Sequence, residues 1–158
     1  MNKNKTALIS CFARYYHTEK SNIKIYNDKF VKEILNTKEI EEISKSMIDG
    51  ICFFNPNYQG ENPLEWIVNN YLAPSILARS IFNEKHLINE IALGLKQYVI
   101  LASGYDTSAY KINNKIKVFE LNNKYIDNTY FHNYNTINPN NRINTPRGVS
   151  YVLLEKNR

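Results

Sequence analysis

The stretch from Gln97 to Glu120 constrains this chain more than any other. Gln97-Tyr98-Val99-Ile100-Leu101 is a short apolar run of the kind carried by a strand buried on both faces. It ends in three small residues, Ala102-Ser103-Gly104, followed by Tyr105-Asp106-Thr107-Ser108 and the helix-compatible Ala109-Tyr110-Lys111. A second apolar run, Ile116-Lys117-Val118-Phe119, ends in Glu120. Strand, small-residue turn, short helix, strand and acid make up half of a nucleotide-binding α/β unit. A turn of small residues lets backbone approach a ligand closely, and glycine adopts positive φ there without penalty. An acid at the tip of the second strand can accept hydrogen bonds from both ribose hydroxyls of an adenosine. Gly104 and Glu120 stand at about the separation these roles need. The turn holds one glycine rather than G-x-G-x-x-G, so it serves a pyrophosphate poorly. An adenosine without phosphates fits better, and S-adenosyl-L-methionine is the common one.

The residues before this unit read as helices. Ala7, Ile9, Phe12, Ala13 and Tyr16 share one helical face, and Phe30, Val31, Ile34 and Leu35 mark a second, shorter helix beyond an extended link at Ile23–Asp28. Asn36 with Glu39 three residues on has capping-box spacing and starts a third helix. Two prolines and a glycine between Phe54 and Pro63 enforce a loop. Glu65 to Ile81 reads as a helix interrupted near Pro74. Glu84 to Leu95 reads as an amphipathic helix that buries Leu87, Ile88, Ile91, Ala92 and Leu95.

Composition narrows the classes. The chain has 158 residues, 43% of them hydrophobic and 13% aromatic, enough to bury a core. No window approaches the roughly 18 apolar residues of a membrane span, and Arg14 breaks the apolar stretch that follows the charged start, so neither a membrane segment nor a signal peptide is expected. Cys11 and Cys52 are too few for a disulfide scaffold or a structural zinc site. A cytoplasmic protein with reduced thiols is the expectation. Twenty Lys+Arg against fifteen Asp+Glu give a net charge of +5, but the basic residues are scattered among acids without an arginine-rich run or RNP-like motif. Nucleic acid is not expected as a partner. His17, His86 and His132 stand at no metal-ligand spacing, so no metal is expected.

Four segments in order resemble the leucine carboxyl methyltransferase family. Gln97 to Thr107 with Ala109-Tyr110-Lys111 is similar to its "QyVilGAGlDTrayR" signature, and Val118-Phe119-Glu120-Leu121-Asn122 to its "vfEvD" continuation. Upstream, Phe12-Ala13-Arg14-Tyr15-Tyr16 with Tyr26-Asn27-Asp28 resembles "aRA…f.DpyA", and Leu77-Ala78-Arg79-Ser80-Ile81-Phe82 resembles "lRtrf". The resemblance implies an α/β fold: a helical lid region over residues 1–83, then a shortened Rossmann-like methyltransferase core over 84–158. It implies S-adenosyl-L-methionine as cofactor, with Glu120 on the ribose, Gly104, Ala102 and Ser103 lining the methionine side, and Arg79 on the carboxylate as a bidentate partner. Arg14 and Tyr16, on the lid, would help close the site. The implied reaction is methyl transfer to a carboxylate, or to another oxygen or nitrogen acceptor. Three positions depart from the family: Ala102 for its first glycine, Ser103 for an alanine, and Asn122 for an aspartate.

Taken singly, these residues have plainer readings. Gly104 suits any turn, Glu120 a solvated strand end, and Arg79 a surface helix whose stem covers apolar neighbours. Asp106 reads at least as well as a helix cap. The order of the motifs favours the functional reading for Gly104, Glu120 and Arg79. Fewer than forty residues follow the acid, and Tyr130–Arg158 does not resemble the family's next part. Tyr130–Asn135, an Asn-rich loop and Val149–Lys156 instead look like such an enzyme's terminal loop and last strand. Either an internal deletion near Lys124–Asp127, or a frame change or shortening with an unrelated tail, accounts for this. Both leave sheet faces uncovered, so marginal stability and homo-oligomer formation are expected. The alternative to a methyltransferase is a non-enzymatic remnant or a partner-binding α/β protein.

Overall fold

The computed structural model describes residues 5–112, 116–123, 142–144 and 149–154. Two compact units are present, one of Leu8–Asn83 and one of Met1–Ala7 with Glu84–Arg158. The helical unit carries most of α1 (Lys5–Lys20), then α2 (Val31–Ile34), α3 (Thr37–Asp49), α4 (Ile51–Phe54), α5 (Pro63–Ile67) and the first half of α6 (Ala73–Ala92). Its core includes Phe12, Val31, Ile67, Val68 and Leu77, all almost fully buried. Asn36 closes the capping box expected of it: its side chain accepts from Glu39 N–H at 2.9 Å, and Glu39 Oε2 accepts from Asn36 N–H at 3.2 Å.

Pro74 does not break the helix it enters. Proline has no N–H and its ring clashes with the carbonyl four residues back. The chain absorbs this in a π-helical turn, Val68–Leu72, where Ala73 N–H reaches back five residues to Val68 O. Beyond it α6 runs unbroken to Ala92, so the two helices expected on either side of Asn83 are one. Gly94, at φ 98°, then ends it, with Leu95 N–H donating to Glu90 O and Gly94 N–H to Ile91 O. That pair of bonds is the Schellman arrangement, and it requires a left-handed residue at Gly94.

The second unit holds β1 (Gln97–Leu101), α7 (Ser108–Lys111), β2 (Lys117–Asn123), β3 (Arg142–Asn144) and β4 (Val149–Leu154). The sheet order is β1-β2-β4-β3, with β1 and β2 parallel and β4 antiparallel to both of its neighbours. The segment read from sequence as a last strand is therefore β4. The proposed junction at Lys124–Asp127 and the Tyr130–Asn135 loop lie outside the described residues. The expectation that β1 is buried on both faces is corrected: Ile100 is buried, whereas Val99 is 50% and Leu101 72% exposed. One face of the strand has packing against it and the other does not. The same incompleteness corrects the buried side of α6, where Leu87 is buried but Ile88 is 59% exposed and Ala92 is exposed.

Candidate functional site

The turn from β1 to α7 holds two of the three positive-φ residues among those described. Ala102 has φ 52° and Gly104 φ 58°; Ala102 is the sole non-glycine residue with positive φ among the described residues. Glycine is favoured at 104 for a second reason, since a Cβ there would lie 3.3 Å from the Ala7 Cβ at the start of α1, a tight contact that Ala7 would have to shift to relieve. Between the two sits Ser103, 8% exposed. Its backbone carbonyl accepts from Asp106 N–H at 2.9 Å, tightening the turn. Its hydroxyl oxygen is buried and has no hydrogen-bond partner among the described residues.

The far side of the turn is fixed by its own polar groups. Asp106 Oδ1 accepts from Ser108 N–H at 2.7 Å and from the Ser108 hydroxyl, an Asx turn that leads into α7 one residue ahead of its N-cap, Thr107. The reading of Asp106 as the helix cap itself is thereby corrected. Tyr105 and Thr107 are buried beside it. Lys111 Nζ at the end of α7 donates to Glu84 Oε2 on α6 at 2.9 Å, in a partly buried pair. Sequence reasoning missed that pair, because the partners lie 27 residues apart and no local spacing reports it.

Parallel pairing brings the acid's position to the same sheet edge as the turn. Ile100 lies beside Glu120 and Leu101 beside Leu121, so the backbone at Glu120 is level with the last residues of β1, just ahead of Ala102. The expectation that Glu120 ends the second strand is corrected: β2 runs on to Asn123, two residues past the register of Leu101, because it pairs with β4 that far. Glu120 thus lies within the strand beside the carboxyl end of β1, the side on which open α/β sheets bind their ligands. An uncharged adenosine with an amino-acid arm calls for close backbone, a polar group and an acid on the neighbouring strand. Here a left-handed turn and a buried hydroxyl follow β1, and the backbone of Glu120 lies beside its last residues. A pocket of about 220 Å³ lined by Leu87, Ile88, Ile91, Ile112, Ser108 and the Glu84–Lys111 pair is smaller than the ~300–1,000 Å³ of ordinary ligand sites and mostly aliphatic, so it is a poor match for such a molecule.

The remaining sequence candidates lie in the helical unit. Arg79 is exposed on α6, its Nε donating to Ser75 O at 3.2 Å. Arg14 is buried, its Nε donating to Asp28 Oδ2 at 2.9 Å. Burial, reinforced by Glu65 and opposed by a hydrogen bond from Asn62, holds the Tyr16 hydroxyl above its ordinary pKa. Burial pushes the Cys11 thiol up to about 12, which makes it a poor nucleophile at neutral pH. Among the described residues no three His, Cys, Asp or Glu side chains gather as a metal site, and no helix is long and apolar enough to cross a membrane.

Sequence comparison places the chain among known proteins. The sequence model of the leucine carboxyl methyltransferase family matches residues 7–126. A Bacillus subtilis (strain 168) protein named "Putative S-adenosyl-L-methionine-dependent methyltransferase YktD" is 41% identical over 133 residues, covering 77% of this chain and 44% of that protein. Proteins of the same description from Mycobacterium ulcerans (strain Agy99) and Mycobacterium marinum (strain ATCC BAA-535 / M) are each 23% identical over 107 residues, covering 68% of this chain and 33% of their own length. The chain thus spans less than half the length of these relatives. No solved structure matches it. The family uses S-adenosyl-L-methionine as its methyl donor. With the family match running from the first turns of α1 through β2, across the turn and the acid that sequence had singled out, the chain belongs to the leucine carboxyl methyltransferase family.

Proposed function

We propose that the chain binds S-adenosyl-L-methionine at the β1–α7 turn and forms the cofactor-holding part of a methyltransferase. The observation that carries this reading is the pair of left-handed residues, Ala102 and Gly104, at the end of β1 beside the parallel strand bearing Glu120. In this reading the Glu120 carboxylate accepts from the ribose hydroxyls. Ala102, Ser103 and Gly104 line the methionine side, and Arg79 pairs with the amino-acid carboxylate. The helical region 1–83 acts as a lid over a shortened Rossmann-like core, residues 84–158, with Arg14 and Tyr16 helping to close it. When bound, the cofactor supplies an electrophilic methyl group on a sulfonium. The protein's part is to hold that methyl in line with an oxygen or nitrogen acceptor, a carboxylate by analogy with the family, and to exclude water.

Calorimetric titration with S-adenosylhomocysteine tests the reading. Glu120→Ala should weaken binding by roughly 1.5–3 kcal/mol, the range for hydrogen bonds to a charged group. Glu120→Gln should lose less, because one acceptor remains. Equal affinity of wild type and Glu120→Ala would remove the ribose assignment. A second reading, a partner-binding α/β protein without turnover, is favoured by the exposed Val99 and Leu101 on β1 and would give no cofactor binding at all.

A further inference from the structure

The Ser103 hydroxyl is out of keeping with its surroundings. A hydroxyl buried without a partner is destabilising, and proteins keep few of them. This one sits at the centre of a turn whose neighbours on both sides hold left-handed backbone, at 8% exposure, with its Oγ unpaired among the described residues. An alanine would fill the same space without the orphaned oxygen. The turn thus carries two unfavourable features, a left-handed alanine and an unsatisfied hydroxyl, and such features persist where a ligand resolves them.

We propose that Ser103 is a ligand-binding residue whose hydroxyl donates a hydrogen bond to the carboxylate of an amino-acid group seated on the β1–α7 turn. The inference rests on the cofactor reading above and adds to it a specific donor and the part of the ligand it serves. The choice of acceptor follows from the cofactor reading: with Glu120, one strand over, assigned to the ribose, the turn of β1 is left to the amino-acid arm. A carboxylate is the strongest acceptor on that arm, and a hydroxyl bound to it makes a short, charge-assisted bond.

The test is a pair of measurements on Ser103→Ala. Without ligand, the variant should melt about 2–4 °C higher than wild type, because a buried polar group without a partner has been removed. In calorimetry its affinity for S-adenosylhomocysteine should fall about ten-fold, whereas affinity for methylthioadenosine, which lacks the amino-acid group, should stay as in wild type. Opposite signs in stability and affinity are the signature of a hydroxyl held ready for a ligand. A variant that melts higher and binds S-adenosylhomocysteine as well as wild type overturns the proposal and makes the hydroxyl a packing defect. Equal weakening toward both ligands overturns the carboxylate assignment. Wild type binding methylthioadenosine but not S-adenosylhomocysteine refutes the Ser103 role while sparing the adenosine site, and binding of neither ligand removes the cofactor reading and this role with it.

Discussion

Ala102 holds the backbone conformation that its family fills with glycine. At φ 52° an L-residue brings Cβ against the following carbonyl, at roughly 1–2 kcal/mol. From sequence this position is a departure from the family's first glycine; in the structure the burden of that departure falls on the backbone itself. Ala102→Gly should therefore stabilise the chain by about 0.5–1 kcal/mol, the left-handed cost less the extra freedom glycine has when unfolded. Ala102→Val, β-branched in the same conformation, should destabilise it. Thermal melts of the two variants check this, and a lower melting temperature for Ala102→Gly would contradict it. Gly104 was legible in advance because a strand ending in small residues demands a turn. The proximity of Ala7 was not, since it depends on where a helix ninety-odd residues earlier happens to start.

Among the elements, α1 shows how tertiary contacts escape a reading of local pattern. Arg14, His17 and Thr18 lie three and four residues apart, on one helical face. Together they hold the segment that leads into α2. Arg14 Nε donates to Asp28 Oδ2, Thr18 Oγ1 accepts from Asp28 N–H at 3.1 Å, and His17 Nε2 accepts from Ile25 N–H at 3.1 Å and Tyr26 N–H at 3.4 Å. The sequence presented Ile23–Asp28 as a link and His17 as a histidine without a role, because its partners are backbone groups eight and nine residues on. The capping box at Asn36 was legible because both of its halves are local. An imidazole that accepts at Nε2 must be neutral there; protonation would set a third N–H against two donors. Burial first, and the nearby Lys24 second, hold the His17 pKa below its ordinary value. With the folded value depressed, the neutral form's contribution is complete above about pH 6.5, the unfolded value, and is lost as pH falls from there toward the folded one. Wild type should thus lose more melting temperature between pH 7.5 and 5 than His17→Gln, whose side chain retains an acceptor that does not titrate. Parallel pH profiles of the two proteins would show that the imidazole does not carry this dependence.

At the scale of the molecule, the described sheet has four strands, of which β1 and β2 are the parallel pair. β1 is one end of the order β1-β2-β4-β3, with Val99 and Leu101 exposed. The α/β character and the parallel β1–β2 pair could be read from two apolar runs and the acid between them and the tail. The lack of cover on β1 could not, because an apolar run looks the same whether its neighbours are present or not. Positions assigned to the cofactor, Arg79, Ala102, Ser103, Gly104 and Glu120, all precede Lys124. Acceptor pockets in doubly wound sheets are built largely from further loops at the strand ends, and the described residues add only antiparallel β3 and β4. An acceptor held in near-attack geometry gains up to about 7–11 kcal/mol of barrier reduction from positioning, and among the described residues no further strand-end loop of that kind is present to supply it. The 158-residue chain by itself should therefore bind better than it catalyses. S-adenosylhomocysteine should raise its melting temperature, while tritiated methyl incorporation into peptides, small acids or cell extract should stay near background. Robust multiple turnover by the purified chain would show that an acceptor can be positioned without those loops, either by the helical region or by a second copy joined along the open edge of β1, and sedimentation of the active species would tell these two apart.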